Sequence, residues 1–441
     1  MPIDNRQSEI GNVLIIGAGI AGLAAARELS RADFQVTIVE ARDRIGGRIF
    51  TQDLAELGAE FIHGKPACLL DIVKRAQLPL SPVINRHWYF RKERLSTTNE
   101  FWSELERVMK AMKSVDRDES FSDFLKQHDL GEAEAMAKLY VEGFHASRAE
   151  RVSVKGLNKA NEAAEAIDDD EQFRLPAGYA AVAQFLHDDA VTRGAQFFLK
   201  TIVQEIRWQP NQVEIIAGST KAGGLAHAKF SRALITLPLG VLQAGSVRFV
   251  PELSDKLTAA NKLAMGQVVK IVMRFREPFW EDLKVLTKDG SDHSLKDLSF
   301  LHAPEELLPT WWTLLPSQLP ILIGWAGGSR AEQLLAQGEA AITNQALRTL
   351  ATIFAVELKL VEEQLESIYY HDWYGDPFAR GAYSYIPVGG LAAAGQLAAP
   401  VANTLFFAGE ATNTEGHQGT VHGAIATGLR AAREIINSSA S

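Results

Sequence analysis

The sequence predicts an α/β chain in which a parallel-sheet, dinucleotide-binding unit carries an inserted second domain. Three observations predict it. Residues 13–40 read as strand, glycine-rich turn, helix and strand. Apolar strands of the same buried type recur at 233–237 and 404–407. The long stretches between them therefore have to form something inserted into the first unit.

Val13-Leu14-Ile15-Ile16 is apolar throughout, as a strand covered on both faces must be. Gly17, Gly19 and Gly22 follow in G-x-G-x-x-G spacing. Gly17 permits the tight turn, Gly19 lets the backbone approach a pyrophosphate, and Gly22 lets helix and strand pack closely. The helix over 21–31 begins beside Ile20 and Ala21. Its unpaired N–H groups and partial positive charge suit phosphate. Residues 34–39 form the second strand, and Glu40 at its end is placed for a ribose hydroxyl pair. The next loop sets Arg42, Arg44 and Arg48 beside Gly46 and Gly47, with Arg42 or Arg48 as a bidentate phosphate donor.

Leu57-Gly58-Ala59-Glu60-Phe61-Ile62-His63-Gly64 has the small residues needed to pass close to a flat ligand. Glu60 and His63 are polar groups in an apolar setting, and His63 on its own reads first as a core histidine. A helix over 69–76 is ended by Pro79 and Pro82. Residues 98–112 repeat Phe101, Trp102, Leu105, Val108, Met109 and Met112 at helical spacing, a core stripe. Helices continue to residue 147, broken at Gly131. Glu162, Glu165, Asp168, Asp169, Asp170 and Glu171 form an acidic patch, either a solvated face or the rim of an entrance that gathers cations.

A helix over 180–192 precedes strands at 196–199, 202–206 and 213–217. The apolar run 233–237, ended by Pro238, returns to the nucleotide sheet. A helix over 253–263 has Ser254 near its cap. The β-branched strand 268–275 encloses Lys270, either a snorkelling edge residue or a buried, purposeful one. Residues 278–317 read as less regular and hold Trp280, Trp311 and Trp312. Then come a strand at 321–325, a helix at 338–356, a strand at 367–373 and a turn at 374–377. Residues 404–410 repeat the opening logic, an apolar strand leading to Gly409 and Glu410. A helix over 419–436 closes the chain with Gly423 and Gly428 on a tightly packed side. The expected division gives 1–85, 195–250 and 385–441 to the nucleotide domain, and 86–194 and 251–384 to the substrate domain.

The chain's 441 residues suffice for two or three domains, and a net charge of −9 argues against a nucleic-acid partner and tilts weakly toward cationic substrates. A single cysteine, Cys68, excludes an intrachain disulfide and a cysteine-based metal site, and no metal is expected. No segment approaches the ~20 apolar residues of a membrane span, and residues 1–11 form a polar leader without a signal-peptide pattern. A soluble intracellular protein, with no membrane partner, is the expectation.

Taken in order, GAGIAGLAAARELSRADFQVTIVEARDRIGGRI, LGAEFIHG, ITLPLGVL, MGQVVKI, DPFARGAYSYIPVG and FFAGEATNTEGHQGTVHGAIATGLRAA resemble the flavin-dependent amine oxidase family of monoamine oxidases, polyamine oxidases and flavin histone demethylases. IHG after LGA, and GTVHGA in the last motif, match the polyamine oxidase branch best. The resemblance spans nearly the whole chain and implies an FAD-binding, Rossmann-like (GR2-type) domain with an inserted α+β substrate domain.

It also implies roles. Glu40 matches the ribose-binding acid, Arg42, Gly47 and Arg48 lie at the pyrophosphate, and the backbone of Val203 touches adenine. Ala59, Glu60 and Phe61 match backbone beside the isoalloxazine, with Trp373 at the cofactor and in the substrate cavity. Gly409 and Glu410 match the flavin-side acid segment. Thr420 and Val421 match contacts at the pyrimidine edge, where the last helix would point its N-terminus. Lys270 matches the catalytic lysine that holds a water near the flavin. Tyr383 matches the aromatic that faces the flavin, and Thr420 stands where monoamine oxidases complete a tyrosine cage. Ala382 stands where the monoamine branch has its flavin-linking cysteine, so the expected FAD is non-covalent. His63 matches a substrate-channel histidine. Glu60 departs from the neutral residue expected there, and binding a second substrate ammonium or capping a loop are its two readings.

The expected reaction is oxidation of a polyamine, spermine or spermidine, with O2 as the second substrate. A neutral amine gives hydride to the flavin, O2 becomes hydrogen peroxide, and the imine is hydrolysed. Glu60 or the acids of 162–171 are candidates for a distal ammonium. A monoamine or L-amino-acid oxidase is the rival, the latter needing an arginine clamp from Arg86, Arg91 or Arg174. A flavoprotein scaffold is the reading from another class.

Overall fold

The computed structural model describes residues 11–97, 100–131, 133–218, 228–286 and 292–439. Residues 1–10 of the expected leader, Thr98, and the side chain of Phe101 lie outside the described residues.

Five parallel strands make the first sheet, in the order 196–198, Gln35–Val39, Asn12–Ile16, Arg232–Ile235, Leu405–Phe407. Sequence-distant strands meet here: Val13 pairs with Val36 on one side and with Arg232 on the other. Side chains alternate between two buried faces. Val13, Ile15, Ile38, Leu234 and Phe406 face a helical layer, whereas Leu14, Ile16, Val39, Ile235 and Phe407 face the other side, toward Val203, Ile206, Val213 and Ile215. Those last residues belong to a four-stranded sheet built on the hairpin Ile202–Gln209 and Gln212–Gly218. Continuous apolar runs follow from this, because neither face meets water.

The helical layer consists of Ile20–Arg31, Ala67–Arg75, Ala180–Thr192 and the closing helix Val421–Ser439. The first and last of these meet backbone to backbone: a Cβ on Gly428 would lie 2.2 Å from the Ala21 carbonyl oxygen. By its packing, Ala180–Thr192 sits with the nucleotide layer, tied to the first helix by Arg27 Nε–Asp189 Oδ2 at 2.5 Å.

The second large sheet has seven strands, in the order Leu365–Tyr370, Val268–Phe275, Ile321–Gly327, Thr310–Trp312, Phe300–His302, His87–Arg91, Arg94–Ser96. Only 300–302 and 87–91 run parallel. The segment expected to be irregular, 278–317, thus supplies two strands to this sheet besides the separate pair Lys284–Leu286 and Asp292–Ser294, and His87–Arg91 is a strand the sequence did not announce. In this sheet, 87–91, 300–302 and 310–312 are three to five residues long and rich in aromatic residues, and they pair mostly with strands remote in sequence. One face of the sheet (Val269, Ile271, Met273, Trp311, Leu322) packs under helices Gly328–Leu335 and Glu339–Phe354. The other face (Val272, Phe300, Trp312, Ile323) meets Ala55 and Leu57 of the nucleotide domain. Lys270 shares the parity of Val268 and Val272 and so lies on this second face, in an interior strand. None of the described helices is long and apolar enough to cross a membrane.

Candidate active site

A cavity of about 1480 Å³ runs from the first glycine turn to the second face of the seven-stranded sheet. It exceeds the ~300–1,000 Å³ usual for one small ligand, enough for a dinucleotide and a further substrate.

At the nucleotide end, Gly17 has φ +109° and closes the turn that only glycine adopts readily. Gly22 has no room for a side chain, since a Cβ there would lie 2.1 Å from the Gly17 carbonyl oxygen. Gly19 is different: it lines the cavity and a Cβ on it would meet nothing within 4 Å. Gly409, also on the wall, is open in the same way. Gly47 lies against this turn, its Cβ position 3.2 Å from the Gly19 Cα. Glu40 accepts from Ala18 N at 2.8 Å and Arg42 N at 2.9 Å, which leaves acceptor capacity on a carboxylate. The backbone of 198–201 pairs with Glu40 and brings Val203 to the same wall. Bare backbone N–H groups, open glycine positions and an acid at the strand end fit a dinucleotide.

The two expected phosphate arginines arrive already paired. Arg42 Nη1 lies 2.7 Å from Asp376 Oδ2, and its guanidinium stacks 5.4 Å from the Phe378 ring centre. Arg48 Nη1 donates to Glu410 Oε1 at 2.9 Å and to the Ala382 carbonyl at 2.7 Å. Glu410 also accepts from Ser384 Oγ at 2.6 Å and Gly419 N at 2.9 Å. Its carboxylate thereby fastens three segments of the wall together. Thr420 caps the closing helix: its hydroxyl accepts from Gly423 N at 2.9 Å and donates to the His417 carbonyl at 2.8 Å. Ile20, Ala21, Ala59 and Val421 all line the cavity, while Gly22 serves it from behind.

Tyr383 packs over Gly419, where a Cβ would come within 2.9 Å of its ring, and donates to the Phe144 carbonyl at 2.7 Å. Burial pushes its phenol well above the ordinary value, so it stays neutral. Trp373 is 4% exposed and donates from Nε1 to the Leu57 carbonyl at 2.9 Å. His63 stands edge-on to Phe144, with ring centres 5.6 Å apart, and its Nδ1 is 3.7 Å from Asp169 Oδ1. Burial lowers its pKa, against the pull of Asp169.

Lys270 is 4% exposed, which settles its two sequence readings in favour of burial. A buried ammonium needs a counter-charge, and Glu60 supplies it: Nζ–Oε2 is 2.8 Å. Glu60, a candidate for binding a substrate ammonium by its sequence, thus holds the protein's own ammonium instead. Its carboxylate also accepts from Arg174 Nε at 2.8 Å and Trp312 Nε1 at 2.9 Å, and is already neutralised. Burial alone would raise the Glu60 carboxyl, but Lys270 and Arg174 outweigh it and hold it below the ordinary value.

The sequence did not mark Trp312, Phe300, Trp325, His87, His302 or Tyr140 for this site, yet all line it. The available signal was period-2 alternation in short strands: Thr310 and Trp312 face the cavity while Trp311, between them, is fully buried in the opposite core. The stripe expected as core in the helix Glu100–Met112 divides: Leu105, Val108 and Met112 are buried in one core cluster, Leu105 also touching the cavity, whereas Met109 and the 39% exposed Trp102 border the cavity. At its mouth stand Glu106, Glu165, Asp168, Asp169, Asp170 and Glu171. Lys65 pairs with Asp168 and Glu171, and Lys113 with Glu165. Asp169 and Asp170 have no Lys or Arg within 4.0 Å among the described residues. Of the three arginines considered for a carboxylate clamp, Arg86 pairs with Asp297, Arg174 is committed to Glu60, and none of Arg86, Arg91 and Arg174 lines the cavity. No group of three or more metal-ligating side chains occurs among the described residues.

Residues 20–436 match the family model of flavin-containing amine oxidoreductases. The chain is 29% identical to Lysine-specific histone demethylase 1 homolog 2 of Arabidopsis thaliana over 97% of this chain and 58% of that one. It is 29% identical to Polyamine oxidase 2 of Arabidopsis thaliana over 96% of this chain and 87% of that one. The chain thus spans little more than half the length of its demethylase relatives. In fold it is similar to wild-type putrescine oxidase bound to putrescine, with a TM-score of 0.80, 20% identity, and 97% and 99% of the two chains covered.

Proposed function

Since this chain belongs to the family of flavin-containing amine oxidoreductases, we propose that it oxidises a C–N bond of a polyamine such as spermine or spermidine. In that reaction amine, O2 and water become aldehyde, a shorter amine and hydrogen peroxide. Non-covalently held FAD would supply the two-electron redox chemistry between amine and O2.

One observation carries the substrate reading: a single cavity joins an aromatic interior to an acidic mouth. Tyr383, Phe61, Trp312 and Trp325 favour an uncharged nitrogen by desolvation, so no strong protein base is needed there. Asp169 and Asp170 favour the protonated nitrogens that remain outside. A polyamine satisfies both ends, whereas a monoamine leaves the mouth unused. An amino acid would bring a carboxylate to a wall where Arg42 and Arg48 are ion-paired, which leaves Arg380 as its remaining arginine partner there. Lys270 places positive charge at the site of O2 reduction and positions water for it. Gly17, Gly19, Gly47 and Glu40 hold the phosphates and ribose, and Gly409, Glu410, Thr420 and Val421 hold the flavin end. Ala382, the residue before Tyr383, offers no thiol to the cofactor, and Cys68 does not line the cavity among the described residues.

A second reading, demethylation of a lysine in a basic peptide, is favoured by the demethylase relative and by the same acidic mouth. Peroxide release from spermine, spermidine, putrescine, benzylamine, amino acids and a methyl-lysine peptide separates these substrates, with products identified by mass spectrometry. Polyamine turnover well above the rest is expected; turnover of the peptide alone, or of an amino acid alone, overturns the proposal. Lys270→Met is expected to slow flavin reoxidation by O2 more than anaerobic reduction. Wild-type rates for both steps would remove Lys270 from the chemistry.

A further inference from the structure

A primary ammonium carries three N–H donors on a flexible stem, and unless they are held they rotate freely. In Lys270 two are held: one by Glu60 Oε2 at 2.8 Å, the other by the Gly58 carbonyl at 3.1 Å. Tetrahedral geometry then fixes the third. Lys270 lines the cavity, and among the described residues no further acceptor takes that last N–H.

Glu60 is itself immobilised. Trp312 Nε1 and Arg174 Nε both donate to Oε1. Arg174 is held in turn by the Thr313 carbonyl at 3.1 Å and the Leu315 carbonyl at 3.3 Å, with its guanidinium 4.5 Å from the centre of the Phe61 ring. The chain Arg174–Glu60–Lys270 therefore joins three separate segments, with side-chain exposures of 11%, 4% and 3%. A loop cap would need neither the second cation nor the indole.

We propose that Glu60 is the positioning residue for Lys270. Its carboxylate, set by Arg174 and Trp312, fixes the direction in which the ammonium presents its third N–H to the cavity. This rests on the reading that Lys270 assists O2 reduction and adds a residue to it. The plain alternative is an ion pair that serves folding only. Removing one partner of a buried pair is costly in either case, so stability alone does not separate the two.

The test uses holoenzyme and apoprotein of Glu60→Gln, Glu60→Asp, Lys270→Met and the double variant Glu60→Gln/Lys270→Met. Glu60→Asp keeps the charge but withdraws it by one methylene, so it retains folding while losing position. Both Glu60 variants are expected to slow flavin reoxidation about tenfold or more, in keeping with the sensitivity of reacting groups to ~1 Å displacements. The double variant is expected to be no slower than Lys270→Met, because Glu60 acts through the lysine. In the apoprotein, Glu60→Gln is expected to lower Tm by several degrees, and adding Lys270→Met to restore part of that loss, since the unpaired ammonium is gone. Wild-type reoxidation in Glu60→Asp and Glu60→Gln, or rate losses that multiply in the double variant, would overturn the positioning role. If Lys270→Met alone reoxidises normally, it is the reading beneath that fails, and the apoprotein melting cycle still reports whether Glu60 and Lys270 are coupled.

Discussion

Gly19→Ala separates what the glycine turn does for the ligand from what it does for the fold. Gly19 caps the first helix with φ −70° and ψ 172°, a conformation alanine adopts without strain. An added Cβ meets nothing within 4 Å and projects into the cavity. The apoprotein should therefore keep its Tm, or gain from the ~0.4–1 kcal/mol that Gly→Ala contributes by restricting the unfolded chain. A methyl group at that point forces a phosphate away from the adjacent N–H groups. Loss of one hydrogen bond to a charged group costs about 1.5–3 kcal/mol, roughly a 10- to 100-fold rise in the Kd for FAD. The control is Gly22→Ala, where the new Cβ lies 2.1 Å from a backbone oxygen and both Tm and affinity should fall. Apoprotein is titrated with FAD by fluorescence quenching, and melting is followed without ligand. An unchanged Kd in Gly19→Ala would refute the cradle; a Tm loss equal to that of Gly22→Ala would show that the position is structural.

Gly428→Ala should cost about 1–3 kcal/mol of stability, because its Cβ would lie 2.2 Å from the Ala21 carbonyl oxygen and part the first and last helices; an unchanged Tm would mean that the two helices yield freely. His87 and His302, bonded Nδ1 to Nε2 at 2.9 Å, have pKa values lowered by burial to about 4 and about 3. The unfolded chain binds these protons below the ordinary value of 6.5 and the folded chain does not, so stability should fall as pH drops from 6.5 toward 4, with His87 contributing on the order of 3 kcal/mol. His87→Gln should flatten that slope in melting curves, and an identical slope would exclude the pair as its source. Asp169→Asn with Asp170→Asn should raise KM for spermine and weaken its dependence on ionic strength, leaving benzylamine turnover unchanged; if the salt dependence stays as in the parent, the mouth does not gather cations.

Sequence alone was enough for the nucleotide half, because its signals are local. A βαβ unit writes its strand, turn, helix and terminal acid within 28 consecutive residues, and Gly22 answers to the backbone of Gly17 only five residues away. Lys270 stood out because an ammonium in a β-branched strand has to be explained. The wall opposite was not legible: Trp312, Phe300, His87 and Tyr140 come from separate short strands and a helix, and nothing in their own neighbourhoods says which face meets the cavity. The tertiary structure also decided what Glu60 does. As a residue it is a free carboxylate able to hold any cation; only the fold, by bringing Lys270, Arg174 and Trp312 within 2.9 Å of it, turns it from a site for substrate charge into the partner of the protein's own. Local sequence determines local geometry, whereas the charge state and availability of a buried group are set by neighbours hundreds of residues away, which only the packed chain brings together.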